Sequence, residues 1–382
     1  MIALILLVCA GQTIQGFVRL ANVYQGFEPA NVLRIEISLP QKIYTDNVKI
    51  TNFYQQVLRG TASLSGVQHA SLVTNPPASN VDNETTFFSI EGRPALKASE
   101  TPSADLQVAS TDFFDTLRIA SVAGRTFSDA DSDGAARVAL VSRGMASRCW
   151  PKGDALGHRI KLGAADSTEP WLTVVGVVGD VRQNWWNPIT RSVIYKPFAQ
   201  SPQGAMTLLL RTASNPTSYV SAVRDVVRQM DPGIALEGSN TLEEEIADSI
   251  AIVRIMGILM GTFGLVALAL SSIGVYGVLS ESVAQRTHEI GIRLALGANP
   301  RDLMKVILGQ ALKLTCIGLA IAVPCAIAIN QAMASLIFGV ITVDFVILGG
   351  FTALLLLVAL GAGYLPARRA ISVDPVVSLR YE

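Results

Sequence analysis

The chain has 382 residues, of which 50% are hydrophobic and 16% are charged, and its formal net charge at pH 7 is zero. This length allows two or three domains, and the balanced charge argues against a nucleic-acid partner, because such proteins carry a basic field. The four cysteines include no CxxC pair, which argues against a zinc site and against a disulfide framework.

Four apolar segments are candidates to cross a membrane, because a helix needs roughly 20 apolar residues to span a bilayer core of ~30 Å. They are residues 1–20, 255–280, 311–330 and 345–365. The first segment is the least regular, since Gln12 and Gln15 interrupt it. The chain also begins in apolar sequence with no basic region before it, which indicates a truncated gene or one half of a longer protein.

The distribution of Lys and Arg predicts how these segments are oriented. The connection at 281–313 and the tail at 366–382 contain several Lys or Arg residues, whereas the connection at 331–344 contains none. By the positive-inside rule, 281–313 and the tail are cytoplasmic, the N-terminus is inside and residues ~20–250 are external. We therefore expect a multi-pass membrane protein with a large extracytoplasmic domain.

The external region is predicted to contain two strand–helix–strand units. The first has a strand at 32–39 with alternating apolar residues, a helix at 46–64 and a strand at 67–73. The second has a strand at 206–211, a helix at 219–230 and a short strand at 234–236. Two such units that close one sheet predict a ferredoxin-like subdomain formed by residues 21–84 and 204–240.

A strand-rich insert is predicted between the two units, at residues 85–203. Its predicted strands lie at 86–90, 106–109, 138–141 and 172–178, separated by Gly and Pro. The predicted fold class is therefore an α+β membrane protein, with four transmembrane helices and a large external domain.

A long helix is predicted to leave the external domain at Thr241-Leu-Glu-Glu244, which has the pattern of a capping box. A helix from 242 to 280 would be on the order of 58 Å long at 1.5 Å per residue, which exceeds a bilayer core. Its first part, residues 241–254, is therefore predicted to be an external stalk.

Three glycines are spaced along one face of the second predicted span: Gly257, Gly261 and Gly264. In membranes, small residues at this spacing allow helices to approach closely. We predict a helix-packing role; the alternative is the ordinary tolerance of glycine in membrane helices.

No catalytic, metal-binding or cofactor-binding site is predicted. Residues 129–134 match the first half of a calcium loop, but Leu140 occupies the position of the bidentate Glu, so a solvated turn is expected. The chain contains no GxxxxGK[ST] motif and no GxSxG motif. The three histidines, His69, His158 and His288, lie far apart in the sequence. We therefore expect that the chain is not an enzyme and that any ATPase is a separate polypeptide.

The cytoplasmic connection, taken as residues 281–310, contains a short amphipathic helix that is predicted near residues 285–298. Ile290 and Leu294 share a face, with Glu289 and Arg293 on an adjacent face, and Gly297 can end the helix. Such a helix can dock on a protein partner, or it can lie in the lipid interface.

This segment resembles the coupling helix of the FtsX/MacB-type ABC transporter permeases, which in that family contacts the ATPase. The tail at 366–375 and the external segments 150–160 and 174–181 are also similar to the family. His288 stands where Arg is common. The resemblance assigns ATPase coupling to Arg286, Glu289, Ile290, Gly291, Arg293, Ala295, Leu296, Gly297 and Ala298.

The chain resembles most one half of the duplicated acidobacterial permeases that lack an attached ATPase. The resemblance implies a permease subunit of the bacterial cytoplasmic membrane that transmits ATP-driven motion to its external domain, for export or efflux. The implied partners are a separate ABC ATPase, a second permease copy or half, a periplasmic adaptor or outer-membrane channel, and the lipid bilayer. The alternative is a non-transporting, FtsX-like regulatory subunit that activates an external enzyme.

Overall fold

The computed structural model describes residues 2–22, 26–77, 84–93, 101–153, 155–164, 166–183, 192–285, 299–336 and 345–371. The chain divides into two compact units, one of residues 23–250 and one of residues 1–22 with 251–382. The helices are α1 (Ile2–Asn22), α2 (Asn47–Ala62), α3 (Phe113–Leu117), α4 (Arg143–Cys149), α5 (Val220–Met230), α6 (Leu242–Gln285), α7 (Pro300–Leu336) and α8 (Phe345–Ile371). Short 3-10 helices occupy Phe198–Gln200 and Pro216–Tyr219.

The strands of the 23–250 unit form one sheet, in the order β11-β1-β10-β2-β4-β3-β7-β8-β6-β9, with β5 paired to β8. The strands are β1 (Val32–Ser38), β2 (Val67–Val73), β3 (Thr85–Ile90), β4 (Ser103–Ala109), β5 (Ser121–Gly124), β6 (Val138–Ser142), β7 (Arg159–Leu162), β8 (Leu172–Val178), β9 (Val193–Pro197), β10 (Ala205–Thr212) and β11 (Leu236–Thr241). The predicted elements at 32–39, 46–64, 67–73 and 219–230 are confirmed as β1, α2, β2 and α5.

Strands β11, β1, β10 and β2 form an antiparallel group with two helices on one face. Helices α2 and α5 share an apolar core with these strands, in which Leu33, Phe53 and Val223 are buried. Helix α2 begins where an Asp46 carboxylate oxygen accepts a hydrogen bond of 2.8 Å from the Lys49 amide, as an N-cap does. A Cβ at Gly60 would lie 2.7 Å from Val226, so glycine allows α2 and α5 to approach closely.

The predicted strand at 234–236 is wrong in its position. The Ile234 amide donates to the Asp231 carbonyl in a turn, and the strand runs from Leu236 to Thr241. Its sequence, Glu237-Gly-Ser-Asn240, has no strand-like pattern. Pairing with β1 makes it a strand, with a bulge that lies opposite Arg34–Glu36.

Six strands close into a ring. Strand β4 pairs with β3, β3 with β7, β7 with β8, β8 with β6, β6 with β9 and β9 with β4. A second core, which includes Phe88, Ile160, Val174 and Ile194, is formed by these strands. Closure leaves the ring strands without a free edge. The sequence predicted β3, β4, β6 and β8 but missed β7 and β9, which have only 4 and 5 residues.

Three stretches among the described residues are long and apolar enough to cross a membrane: Leu242–Gln285, Met304–Ile329 and Val346–Tyr364. They contain or overlap the second, third and fourth predicted spans. The first predicted span corresponds to α1, whose apolar stretch Ala3–Gln12 is shorter than a bilayer crossing needs. Helix α6 exposes large apolar side chains, such as Ile255 and Phe263, as a lipid-facing helix does.

Helices α1, α7 and α8 pack together in the second unit. Their shared core includes Leu4 and Val8 of α1, Ala322 of α7 and Leu348 of α8. A Cβ at Gly11 would lie 2.6 Å from the Phe351 ring, so glycine is needed for the close approach of α1 and α8.

Candidate stalk and coupling region

The predicted coupling residues lie outside the described residues. These are Arg286, Glu289, Ile290, Gly291, Arg293, Ala295, Leu296, Gly297 and Ala298. The flanking helices are described: α6 runs to Gln285, and α7 begins at Pro300, a residue that is favoured in the first turn of a helix. The Gln310 amide nitrogen donates to the Ser282 hydroxyl over 3.3 Å, so a side-chain bond joins α6 to α7 on either side of the segment.

The three glycines of α6 have different surroundings. A Cβ at Gly264 would lie 2.9 Å from the Leu7 side chain of α1, whereas a Cβ at Gly261 would meet nothing within 4 Å. Gly257 is buried. Within the described residues, close approach to another helix is therefore seen at Gly264, and the packing role of the three glycines together stays a prediction.

The predicted capping box is present at the start of α6. The Glu244 amide donates to the Thr241 hydroxyl over 3.1 Å, and the Thr241 amide donates to the Glu244 carboxylate over 2.9 Å. These two bonds satisfy amides that have no partner within the helix. From this cap, α6 runs for 44 residues without interruption, to Gln285.

A buried arginine lies beside this cap, and the sequence did not indicate it. The side chain of Arg34, in β1, is only 6% exposed and forms ion pairs with Glu36 and with Glu245 of α6. The Glu245 pair has a distance of 3.0 Å, and Arg34 also donates to Asn240 over 3.4 Å. The alternating pattern around Arg34 indicates only a polar position, since its partners in β11 and α6 are more than 200 residues away.

A second buried arginine, Arg211, binds the entering segment, residues 28–30, which lies near the start of the 23–250 unit. The Arg211 guanidinium donates to the carbonyls of Thr116, Glu28 and Ala30 over 2.6, 2.7 and 2.9 Å. Its burial lowers the pKa of the Arg211 guanidinium from the ordinary value. Glu28 also forms an exposed ion pair of 2.7 Å with Arg118.

The prediction of a solvated turn at residues 129–134 is wrong for Asp131. This carboxylate is buried, and its two oxygens accept hydrogen bonds from Arg125. The exposed Asp129 and Asp133 agree with the prediction. Among the described residues, no group of three or more His, Cys, Asp or Glu side chains is placed to hold a metal ion. His158 stacks on Trp150, and His288 lies outside the described residues.

Comparisons with known proteins agree with this architecture. The family model of the MacB-like periplasmic core domain matches residues 1–229, and the model of the FtsX-like permease C-terminal region matches residues 261–375. The pyoverdine export ATP-binding/permease protein PvdT of Pseudomonas syringae pv. tomato is 26% identical over 277 residues, which are 68% of this chain and 40% of the relative.

A second relative and a solved structure are also similar to this chain, over different shares of their lengths. The uncharacterized ABC transporter permease YknZ of Bacillus subtilis is 28% identical over 281 residues, which are 70% of this chain and 67% of the relative. The crystal structure of the periplasmic region of MacB from Actinobacillus actinomycetemcomitans aligns with 60% of this chain and 98% of that chain, at 14% identity and a TM-score of 0.39.

The chain spans about 40% of the length of the PvdT relative. The MacB-like model alone covers more than half of the chain, residues 1–229 of 382. The FtsX-like match includes the predicted coupling segment and the last two predicted spans. The chain is therefore a membrane protein with an extracytoplasmic domain and belongs to the family of FtsX/MacB-type ABC transporter permeases.

Proposed function

We propose that this chain is the permease subunit of an export system, in which ATP-driven motion on the cytoplasmic side is carried to the external unit. The observation that carries the proposal is helix α6. It begins at a capping box in the 23–250 unit and continues without a break through an apolar stretch of span length. An uninterrupted helix retains its backbone hydrogen bonds along its length, so it can transmit displacement.

The proposed architecture has four membrane spans and places the N-terminus and the tail in the cytoplasm. The first span is α1, whose 21 residues are long enough to cross a bilayer although its apolar stretch is shorter. Residues 21–84 and 204–240 form the proposed ferredoxin-like subdomain, and residues 85–203 form the inserted one. The strand order β11-β1-β10-β2, with α2 and α5 on one face, supports the ferredoxin-like assignment. Residues 241–254 are the proposed stalk.

The proposed partner on the cytoplasmic side is a separate ABC ATPase that docks on residues 286–298. These 382 residues contain no GxxxxGK[ST] phosphate-binding motif, which supports an ATP-binding site outside them. A second permease copy or half, and a periplasmic adaptor or outer-membrane channel, complete the proposed assembly. The name of the PvdT relative, an export protein, supports export over the regulatory alternative.

The proposal is tested by co-purification from native membranes. The full chain alone is expected to hydrolyse no ATP, and the ATPase activity that co-purifies with it should depend on the coupling segment. Glu289→Lys together with Arg293→Glu should remove that activity, because both changes invert a charge at the proposed docking surface. Glu281→Gln, on the described end of α6, is the control and should retain it.

Two results would contradict the proposal. One is ATP turnover by the purified chain without a second subunit. The other is full co-purifying activity in the double charge reversal at Glu289 and Arg293.

A further inference from the structure

The first turns of helix α6 are joined to a strand inside the sheet, and this junction is separate from the helix cap. Strand β1 lies between β11 and β10 and is hydrogen-bonded on both sides. Because side chains alternate along a strand, Leu33 and Ile35 face the core with α2 and α5, and Arg34 projects from the opposite face. On that opposite face, Arg34 reaches α6.

The junction is a network of four polar side chains. Arg34 pairs with Glu36 in its own strand and with Glu245 of α6, and it donates to Asn240 of β11. Asn240 in turn donates to Glu245 over 2.9 Å. The side chains of Arg34 and Glu245 are 6% and 14% exposed, so water screens this pair poorly.

The cap and the arginine have different physical effects. The bonds between Thr241 and Glu244 lie within the end of α6 and fix where the helix begins. Arg34 instead connects the next part of the helix, at Glu245, to a strand 211 positions earlier in the chain. A displacement of α6 at Glu245 must therefore either move β1 or break a buried ion pair, and removing one partner from such a pair is strongly unfavourable.

The entering segment of the chain is held on the same face of the same group of strands. Arg211 in β10 lies directly opposite Val32 in β1, so Arg211 and Arg34 project from one face. Arg211 binds the carbonyls of Glu28 and Ala30. The entering segment and the base of α6 are thus both attached to adjacent strands of the sheet.

We propose that Arg34 is the positioning residue through which helix α6 moves the sheet of the external unit. The proposal rests on the proposed function, and it identifies the ion pair between Arg34 and Glu245 as the contact through which α6 displaces β1. Without Arg34, α6 keeps its cap, its length and the backbone pairing of Thr241 with Leu33, but it loses its side-chain connection to β1.

The first experiment tests the junction without nucleotide, in the full chain reconstituted in lipid nanodiscs. Hydrogen exchange of the amides at 242–250 is compared between the wild type and Arg34→Met, which retains much of the side-chain volume and removes the charge. We expect exchange at 242–250 to be at least about tenfold faster in Arg34→Met, because Glu245 loses its buried partner. Arg118→Met, which removes an exposed ion pair, is the matched control and should leave the exchange at 242–250 unchanged.

Folding of the variants is checked by tryptophan fluorescence, since all four tryptophans lie between residues 150 and 186 and report only on the 23–250 unit. Glu245→Gln removes the charge at the other end of the pair and is used if Arg34→Met does not fold. Arg34→Lys retains the charge and should restore part of the protection. Wild-type exchange at 242–250 in both Arg34→Met and Glu245→Gln would overturn the proposal.

The second experiment adds the co-purifying ATPase and a non-hydrolysable ATP analogue. In the wild type, the analogue should change exchange in both α6 and β1. In Arg34→Met the change should persist in α6 and decrease in β1, which is then joined to the base of α6 only through its backbone pairing with β11. Arg34→Lys should recover the change in β1 in part. An undiminished change in β1 of Arg34→Met would overturn the role of Arg34.

The two experiments separate two failures. If the analogue changes nothing in the wild type, the proposed function fails and with it the transmitting role of Arg34. The nucleotide-free comparison still decides whether Arg34 holds the base of α6.

Discussion

Arg125 and Asp131 are joined by two hydrogen bonds of 2.7 Å each, from Nη1 to Oδ2 and from Nη2 to Oδ1. The Ser128 amide adds a third bond of 2.9 Å to the same carboxylate. Of the acidic residues at 129–133, Asp131 is therefore the one that binds the Arg125 guanidinium. The hydrogen bonds from Arg125, and to a smaller extent that from Ser128, hold the pKa of the Asp131 carboxyl below its usual range.

Asp131→Asn should lower the free energy of unfolding of the 23–250 unit by about 1 kcal/mol at pH 7, since Arg125 is half exposed and water screens the pair. The folded pKa is lower than the unfolded one. The pair therefore stabilises the fold above the unfolded pKa of about 3.9, and this contribution is lost as the pH falls through the folded pKa. Urea unfolding of the full chain, followed by tryptophan fluorescence across this pH range, measures it.

The control for this prediction is Asp133→Asn, because the Asp133 side chain is 77% exposed and its pair with Arg137 has a distance of 3.5 Å. It should change the stability by less than about 0.5 kcal/mol. A difference in stability between wild type and Asp131→Asn that grew toward acidic pH would contradict the predicted sign.

The cap of α6 should contribute measurably to the order of the stalk. Thr241→Ala removes the hydroxyl that accepts from the Glu244 amide, and loss of an N-cap costs about 1 kcal/mol. We expect faster hydrogen exchange in the first turn of α6, with little change beyond residue 254. Glu243→Gln, an exposed neighbour, is the control, and equal effects of the two variants would argue against the cap.

The buried side chain of Gln12 is predicted to lower the stability of the unit formed by residues 1–22 and 251–382. Its side chain is buried, and neither Oε1 nor Nε2 has a hydrogen-bond partner. A buried unpaired polar group costs about 1–3 kcal/mol, so Gln12→Leu should raise the temperature at which the detergent-solubilised chain loses its monodisperse peak in size-exclusion chromatography. Gln15→Leu is the matched control, because Gln15 has a partner. A gain in Gln15→Leu equal to that in Gln12→Leu would contradict the explanation.

The proposed orientation is tested by cysteine labelling in a background without the native cysteines. Thr168→Cys is expected to react with an impermeant maleimide in intact cells, since Thr168 is exposed on the 23–250 unit, next to the half-buried Ser167. Ser372→Cys should react only after the membrane is opened. Labelling of position 372 from outside would show that the tail is not cytoplasmic.

Gly297→Pro should separate ATP hydrolysis from external function. Proline fixes φ near −65° and has no amide hydrogen, whereas glycine can adopt the left-handed geometry of a helix end. The helix that begins at Pro300 would then be misdirected relative to the coupling segment. Hydrolysis and transport are measured in the reconstituted complex, with tryptophan-detected unfolding as the folding control. Full transport by a well-folded Gly297→Pro would mean that the coupling interpretation is wrong.

Local patterns predicted much of the fold. The alternation of Leu33, Ile35 and Ile37 predicted β1 and its buried face, and Thr241 with Glu244 predicted both the start of α6 and its cap. Each of these features depends on residues that are at most a few positions apart. The candidate site was predicted less completely, because Arg34 stands at a polar position of an alternating strand, where solvent exposure is the ordinary expectation.

The sequence by itself determined the apolar stretches, the start of α6, most strands and the family, since backbone hydrogen bonding and side-chain periodicity act over short distances. Only the tertiary structure decided the closure of the six-stranded ring, the position of β11, the pairing of Asp131 and the burial of Arg34. The ring, β11 and Arg34 depend on partners far along the chain. For Asp131, six positions from Arg125, the choice between solvent and an ion pair depended on burial, which the spacing of charges does not reveal.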